Sequence, residues 1–208
     1  MVRFENINVS GERVEIGNGV SIPTSWTTVV RGEEGVPGTI HVAVEFDAHL
    51  NRAVAAEVRV QRGQGADEVT SITLRQVRVQ HAVQVGGLKV STVSEPGHPI
   101  ATGGDYIRRM RERTDRTTAE SVVDAARTYQ LAASISLPPL RAVADCLAVS
   151  QSTATRLMNR ARAEGLATGV EFAAPSVQRR IASPQPPASV AQGPAMPPVA
   201  PSGPSIGM

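Results

Sequence analysis

Residues 140–159 read LRAVADCLAVSQSTATRLMN, and their apolar positions leave few ways to fold. Counted from Leu140, apolar side chains stand at the fourth (Val143), eighth (Leu147), tenth (Val149), fifteenth (Ala154) and eighteenth (Leu157) positions. The small Ala144 occupies the fifth. Two helices joined by a tight turn must pack face to face, and this spacing supplies the facing apolar side chains with a small residue where the backbones come closest. Ser150 stands just after the turn, where its hydroxyl can cap the orphan N–H groups of the second helix. Ahead of this pair, Thr117 and Glu120 fit a capping box. Val122, Ala126, Tyr129 and Ala133 then follow at spacings of four, three and four, which predicts a helix over 117–134 with that face buried. Pro138-Pro139 ends the loop and opens the next helix, where a missing N–H costs nothing.

The first half of the chain carries a different period. Residues 39–46 (TIHVAVEF) and 53–61 (AVAAEVRVQ) alternate apolar and polar side chains, and the polar stretch DAHLNR joins them. That pattern predicts an antiparallel hairpin with one buried face. Asn18-Gly19, set between short apolar pieces, predicts a second hairpin. Trp26 is the largest apolar side chain available and the expected core anchor. Residues 69–85 leave two readings open: a strand through Val77, Val79, Val83 and Val85, or a short helix capped by Thr70-Ser71. The Gly-, Ser- and Pro-rich stretch 86–104 reads as a linker.

The expected architecture is α+β: a small antiparallel β-rich domain over 1–90, a linker over 91–104, and a helical module over 105–170. A disordered Pro-rich tail is expected over 173–208. Residues 181–208 hold no charged residue and 8 Pro with 3 Gly among 28, too little apolar surface to offset the entropy of ordering. Charge divides along the same line. Residues 1–104 carry 9 Lys+Arg against 11 Asp+Glu, and residues 105–208 carry 12 against 8, so the basic excess lies in the second half. Every basic residue but Lys89 is arginine, whose planar fork suits phosphates and guanine edges. Arg108, Arg109, Arg111, Arg113 and Arg116 cluster in YIRRMRERTDR, interrupted by Glu112 and Asp115. They read either as a solvated helical face or as a phosphate-contacting arm. No apolar run approaches the ~18 residues of a membrane span, and the N-terminus lacks an apolar signal core, so a cytoplasmic chain without membrane attachment is expected.

The phrase VADCLAVSQSTATRL resembles the helix-turn-helix of bacterial DNA-binding proteins. More widely, AARTYQLAA followed by LRAVADCLAVSQSTATRLMNRARAEGL is similar to the helical module of actinobacterial and phage-associated helix-turn-helix proteins. VTSITLR resembles a segment of the domain they often carry ahead of it. Ala148 departs from the pattern, since many members have Gly at this turn, where a left-handed residue is often needed. The resemblance implies binding of double-stranded DNA, most simply in transcriptional control, with the second helix in the major groove. The outward side chains are then Ser150, Gln151, Ser152, Thr155, Arg156 and Asn159. Gln151 and Arg156 are the expected base readers, by bidentate bonds to adenine and guanine. Ser152 and Thr155 are expected on phosphates, with Arg160 and Arg162 extending the positive rim. Because one such module reads only a few base pairs, a homodimer is expected.

Catalytic readings find no constellation. His41, His49, His81 and His98 lack ligand spacing, so no metal or other cofactor is expected. GxSxG, P-loop and GxGxxG motifs do not occur, and the single Cys146 reads as a small residue at the core edge. The expectation is therefore a non-enzymatic DNA-binding protein. The alternatives are a protein-interaction adaptor docking through its helices and Pro-rich tail, and a phage or mobile-element accessory factor for packaging or recombination.

Overall fold

The computed structural model of the chain describes residues 2–167. The expected tail over 173–208 lies outside the described residues, as do residues 168–170 of the expected helical module. The architecture is α+β, an antiparallel sheet followed by helices. Strands β1 (Arg3–Gly17) and β2 (Val20–Arg31) form a hairpin. Its two turn residues, Asn18 and Gly19, have φ of 52° and 76°. Positive φ at both central positions matches the right-handed twist of the strands and suits the Asn-Gly pair. Strands β3 (Gly38–Asp47) and β4 (Arg52–Arg62) form the second hairpin, with Ile40 opposite Val60 and Val42 opposite Val58. At its loop, Asp47 Oδ1 accepts the backbone N–H groups of His49 at 2.8 Å and Leu50 at 3.0 Å. These bonds, that to Leu50 foremost, hold its carboxyl below the ordinary aspartate range.

β2 joins the two hairpins. Its residues 25–31 pair with β3, while Val20 and Ser21 pair with the two-residue strand β5 (Thr92–Val93). β5 in turn pairs with β6 (Ala101–Thr102), giving the order β4-β3-β2-β5-β6 with β1 also on β2. Trp26 is 2% exposed and anchors the core with Ile22, Ile40, Val42 and Val44, as its size led us to expect.

The ambiguous stretch 69–85 is helical. Thr70 accepts the N–H of Thr73 at 3.3 Å and caps α1 (Ser71–Gln76), and α2 (Val79–Val90) follows. The valine alternation is overridden because Ala82, Val83, Gly86, Gly87 and Val90 recur at helical spacing and are buried against the sheet side of α2. The expected linker over 91–104 is a correction. It holds β5, β6 and the start of α3 (Gly103–Glu112), so the chain does not leave the fold there. The glycine pair at 86–87, read as part of a linker, instead permits close packing. A Cβ on Gly86 would lie 2.0 Å from Thr28 Oγ1, and one on Gly87 would lie 2.5 Å from Ile135 Cγ2. The described residues accordingly lie in one compact unit that holds both the sheet and the helices.

The remaining helices are α4 (Thr118–Ser134), α5 (Pro139–Leu147) and α6 (Gln151–Ala163). α4 begins at the expected capping box, with Thr117 and Glu120 bonded reciprocally. Its buried surface is wider than the four-residue face read from the sequence. Val122, Ala126 and Tyr129 of that face are buried and Ala133 is half-buried, while Ala125, Leu131 and Ala132 are buried besides, because α4 packs on both α5 and α6 and touches the sheet. A second apolar cluster joins Val20 and Val93 of the sheet to Tyr106 and Met110 of α3, Leu131 of α4 and Cys146 of α5. Among the described residues no helix is long and apolar enough to cross a membrane.

Candidate nucleic-acid interface

The local geometry of 139–163 follows from its sequence. Pro139 opens α5, with Pro138 as its cap residue. Val143, Cys146 and Leu147 turn inward. Ala148 then ends the helix in the left-handed region, at φ 53° and ψ 43°. Its N–H and that of Val149 both bond to the carbonyl oxygen of Ala144, which closes the turn on that small residue. The backbone conformation that usually selects glycine is thus present here with alanine. Ser150 Oγ accepts the N–H of Thr153 at 3.2 Å and caps α6.

α6 presents two unlike faces. Ala154, Met158 and Ala161 are buried at 0%, 1% and 0% exposure. Leu157, expected to fill the core, is only half-buried. Met158, about 40° round the helix from Ala154, is buried in its stead. The opposite face carries every residue expected to contact DNA. Ser150, Gln151, Ser152, Thr155, Arg156, Asn159, Arg160 and Arg162 are all exposed. The structure brings them together on one side of one helix and its cap.

Their hydrogen bonds set how free each is to meet a ligand. Ser150 Oγ lies 2.9 Å from both Ser152 Oγ and Thr153 Oγ1, a cluster of hydroxyls at the positive end of the helix. The first turn contains no acidic residue. Thr155 donates to the carbonyl of Gln151 at 2.9 Å, which leaves its oxygen lone pairs outward. Arg156 reaches Thr153 Oγ1 at 3.4 Å, a long contact that holds the guanidinium loosely over the exposed face. Arg160 pairs with Glu164 at 2.7 Å, and Arg162 donates to Asn159 Oδ1 at 3.3 Å. Thr153, half-buried beside the cap, was missed in the sequence; its place three residues after Ser150 was the signal for it.

The arginine cluster after residue 105 serves the fold more than the surface. Arg109 pairs with Glu95, Arg113 with Glu120 at 2.5 Å, and Arg116 with Asp124 at 3.5 Å. Arg127 completes this network, bonding Glu95 at 3.1 Å, Asp124 at 3.4 Å and the carbonyl of Asn18 at 2.9 Å. The side chains of Arg127, Glu95 and Asp124 are less than a tenth exposed, so the network is a buried one. Burial raises the Asp124 carboxyl above its ordinary range, against the opposing pull of Arg127 and Arg116. Burial likewise drives the Tyr106 phenol upward. Of the two readings left open for the cluster, a phosphate-contacting arm is reduced to Arg108 and Arg111, the members with exposed side chains, and Arg108 is itself held by Asp105 at 2.5 Å. Cys146 is buried at 1% exposure and accepts from Thr128 at 3.7 Å, and burial raises its thiol.

Comparison with protein-family models, with curated proteins and with solved structures gives no match for this chain.

Proposed function

We propose that the α4–α6 unit binds double-stranded DNA, with α6 in the major groove, and that the chain acts as a sequence-specific transcriptional regulator. One observation carries the reading. A left-handed turn at Ala148 joins α5 to a Ser150-capped second helix whose exposed residues from Gln151 to Arg162 are polar, free of acid, and rich in groups that bond bases and phosphates. Gln151 and Arg156 lie in the first two turns of α6 and are assigned to base edges. Ser150, Ser152 and Thr155, near the positive helix end, are assigned to phosphates with Asn159, Arg160 and Arg162.

The reading gives the chain no reaction of its own and places it in the cytoplasm, with its DNA. It also calls for two copies, because one α6 reads only a few base pairs. The outer strand β4 supports a contact between copies, since Val58 there is 40% exposed on the sheet edge. Selection of bound sequences from random duplex DNA by the full chain tests the proposal. The expected product is a consensus of two half-sites about one duplex turn apart, bound with an affinity that falls steeply with salt. Recovery of unselected sequence, or binding indifferent to salt, overturns it and returns weight to a protein-docking role for the same helices.

A further inference from the structure

An open groove of about 720 Å³ runs between α3 and α5, and no residue of α6 lines it. Its floor is aliphatic: Leu88 from α2, Ile107 from α3, Leu137 from the α4–α5 loop and Ala142 from α5. Its rim is charged, with Arg108, Arg111 and Arg141 against Glu112 and Asp145. The volume lies in the range of small-molecule sites, which are typically roughly 300–1,000 Å³ and mostly apolar with a few placed polar groups.

The rim charges are unequally engaged. Arg108 is held by Asp105 at 2.5 Å, and Arg141 faces Asp145 at a loose 3.7 Å. Arg111 is exposed and has no acid in ion-pair range among the described residues. With Arg108 on Asp105 and Arg141 facing Asp145, Arg111 is the lining arginine that no described acid engages. One available guanidinium suits a monoanion. A dianionic phosphate would be brought against Glu112 and Asp145 as well as the arginines. No aromatic ring lines the groove, so nothing there stacks a base or other flat ring. The aliphatic floor instead accepts an alkyl chain, and a guanidinium binds a carboxylate in a planar fork.

We propose that this groove is a binding site for an aliphatic monocarboxylate, its chain on Ile107, Leu137 and Ala142 and its carboxylate on Arg111. The site stands apart from the DNA-reading face, and its test contains no DNA, so either proposal can fail alone. Isothermal titration of the full chain with octanoate is compared with 1-octanol, which has the same chain without the charge. Octanoate is expected to bind saturably at one site and at least about tenfold more tightly than octanol, the worth of one charged hydrogen bond. Arg111→Gln, at an exposed position, should remove that preference while leaving octanol binding unchanged. Ala142→Phe, which fills the groove, should abolish both, with an unchanged circular dichroism spectrum showing that the chain is folded. Absence of saturable octanoate binding, equal binding of octanol, or indifference to Arg111→Gln overturns the assignment.

Discussion

The side-chain amide of Asn18, at the tip of the β1–β2 hairpin, donates to the carbonyl oxygen of Leu166 just beyond α6 at 2.7 Å. The same nitrogen lies 2.6 Å from Gln130 Oε1 of α4, and the Asn18 carbonyl accepts from Arg127. One turn residue therefore ties the sheet to two helices of the proposed DNA-binding unit. It can do so because its left-handed backbone, at φ 52°, directs main chain and side chain into the same cleft.

Replacing Asn18 by glycine should isolate that clamp. Glycine keeps the left-handed turn but removes both side-chain hydrogen bonds and leaves the buried oxygen of Gln130 without this donor. A loss of about 2 kcal/mol is expected, at roughly 1 kcal/mol for each bond. Asn18→Ala should cost more, since it adds backbone strain of about 1 kcal/mol. Urea unfolding of the two variants measures both. Equal stability of Asn18→Gly and the parent would show that the clamp contributes nothing.

Ala148→Gly should stabilise the chain by up to about 1 kcal/mol. Alanine sits at φ 53°, where its Cβ crowds the carbonyl, and glycine relieves that strain despite its greater freedom in the unfolded chain. Because Ala148 is exposed, no packing is lost. A rise in the urea midpoint with an unchanged slope is the expected result, and a clear fall would contradict the left-handed assignment.

Glu120 supplies a pH dependence with a definite sign. Its carboxylate accepts the Thr117 N–H, pairs with Arg113 and bonds the Thr117 hydroxyl, and these hold its pKa at about 2, down from 4.5. A depressed carboxyl pKa means that the folded state binds fewer protons than the unfolded one. The resulting stability is present above pH 4.5 and is lost as pH falls toward 2. Asp124, whose carboxyl is raised by burial, works in the opposite direction, so the parent profile is a composite. Glu120→Gln keeps a capping side chain but removes the titration. The difference between the two stability profiles should therefore shrink steadily from pH 5 to pH 2, and a constant difference would refute the assigned cause.

The pattern of these contacts also shows what the sequence could reveal. The Asn18-Gly19 turn, the β3–β4 alternation, the Thr117 capping box and the α5–turn–α6 spacing are local signals, each written within about twenty residues. All four appear in the structure. What stayed hidden depends on contacts across the chain. Gly86 and Gly87 look like linker residues until Thr28 and Ile135 arrive against them. The basic run looks like a surface arm until Glu95, Glu120 and Asp124 draw its arginines in. Met158 exceeds Leu157 in burial although both lie about 50° from the mean direction of Ala154 and Ala161, so the helical period alone does not separate them. The eight outward positions on α6 and its cap were legible because the helical period fixes the outer face once the inner one is known.

On duplex DNA the outward residues should divide by position. Gln151 and Arg156 stand where a recognition helix reaches the groove floor, so either one changed to Ala should cost about 1–3 kcal/mol of discrimination at one base pair. Arg162 lies further along, where the helix leaves the groove, and Arg162→Ala should weaken all sequences alike and reduce the salt slope by about one. Arg160 is a special case, because Glu164 holds its guanidinium at 2.7 Å in a pair whose partners are both exposed. Such a pair contributes little to stability, yet it competes with phosphate for the same donors. Glu164→Gln should therefore raise affinity for every sequence several-fold and steepen the salt dependence, with the consensus unchanged. Arg160→Ala should do the reverse, and in the double variant the gain from Glu164→Gln should largely disappear. Binding isotherms on matched and scrambled duplexes at several salt concentrations separate these outcomes. If Arg156→Ala lowered the salt slope and left sequence preference intact, Arg156 would be a phosphate contact, and the base-reading face would have to be reassigned around Gln151.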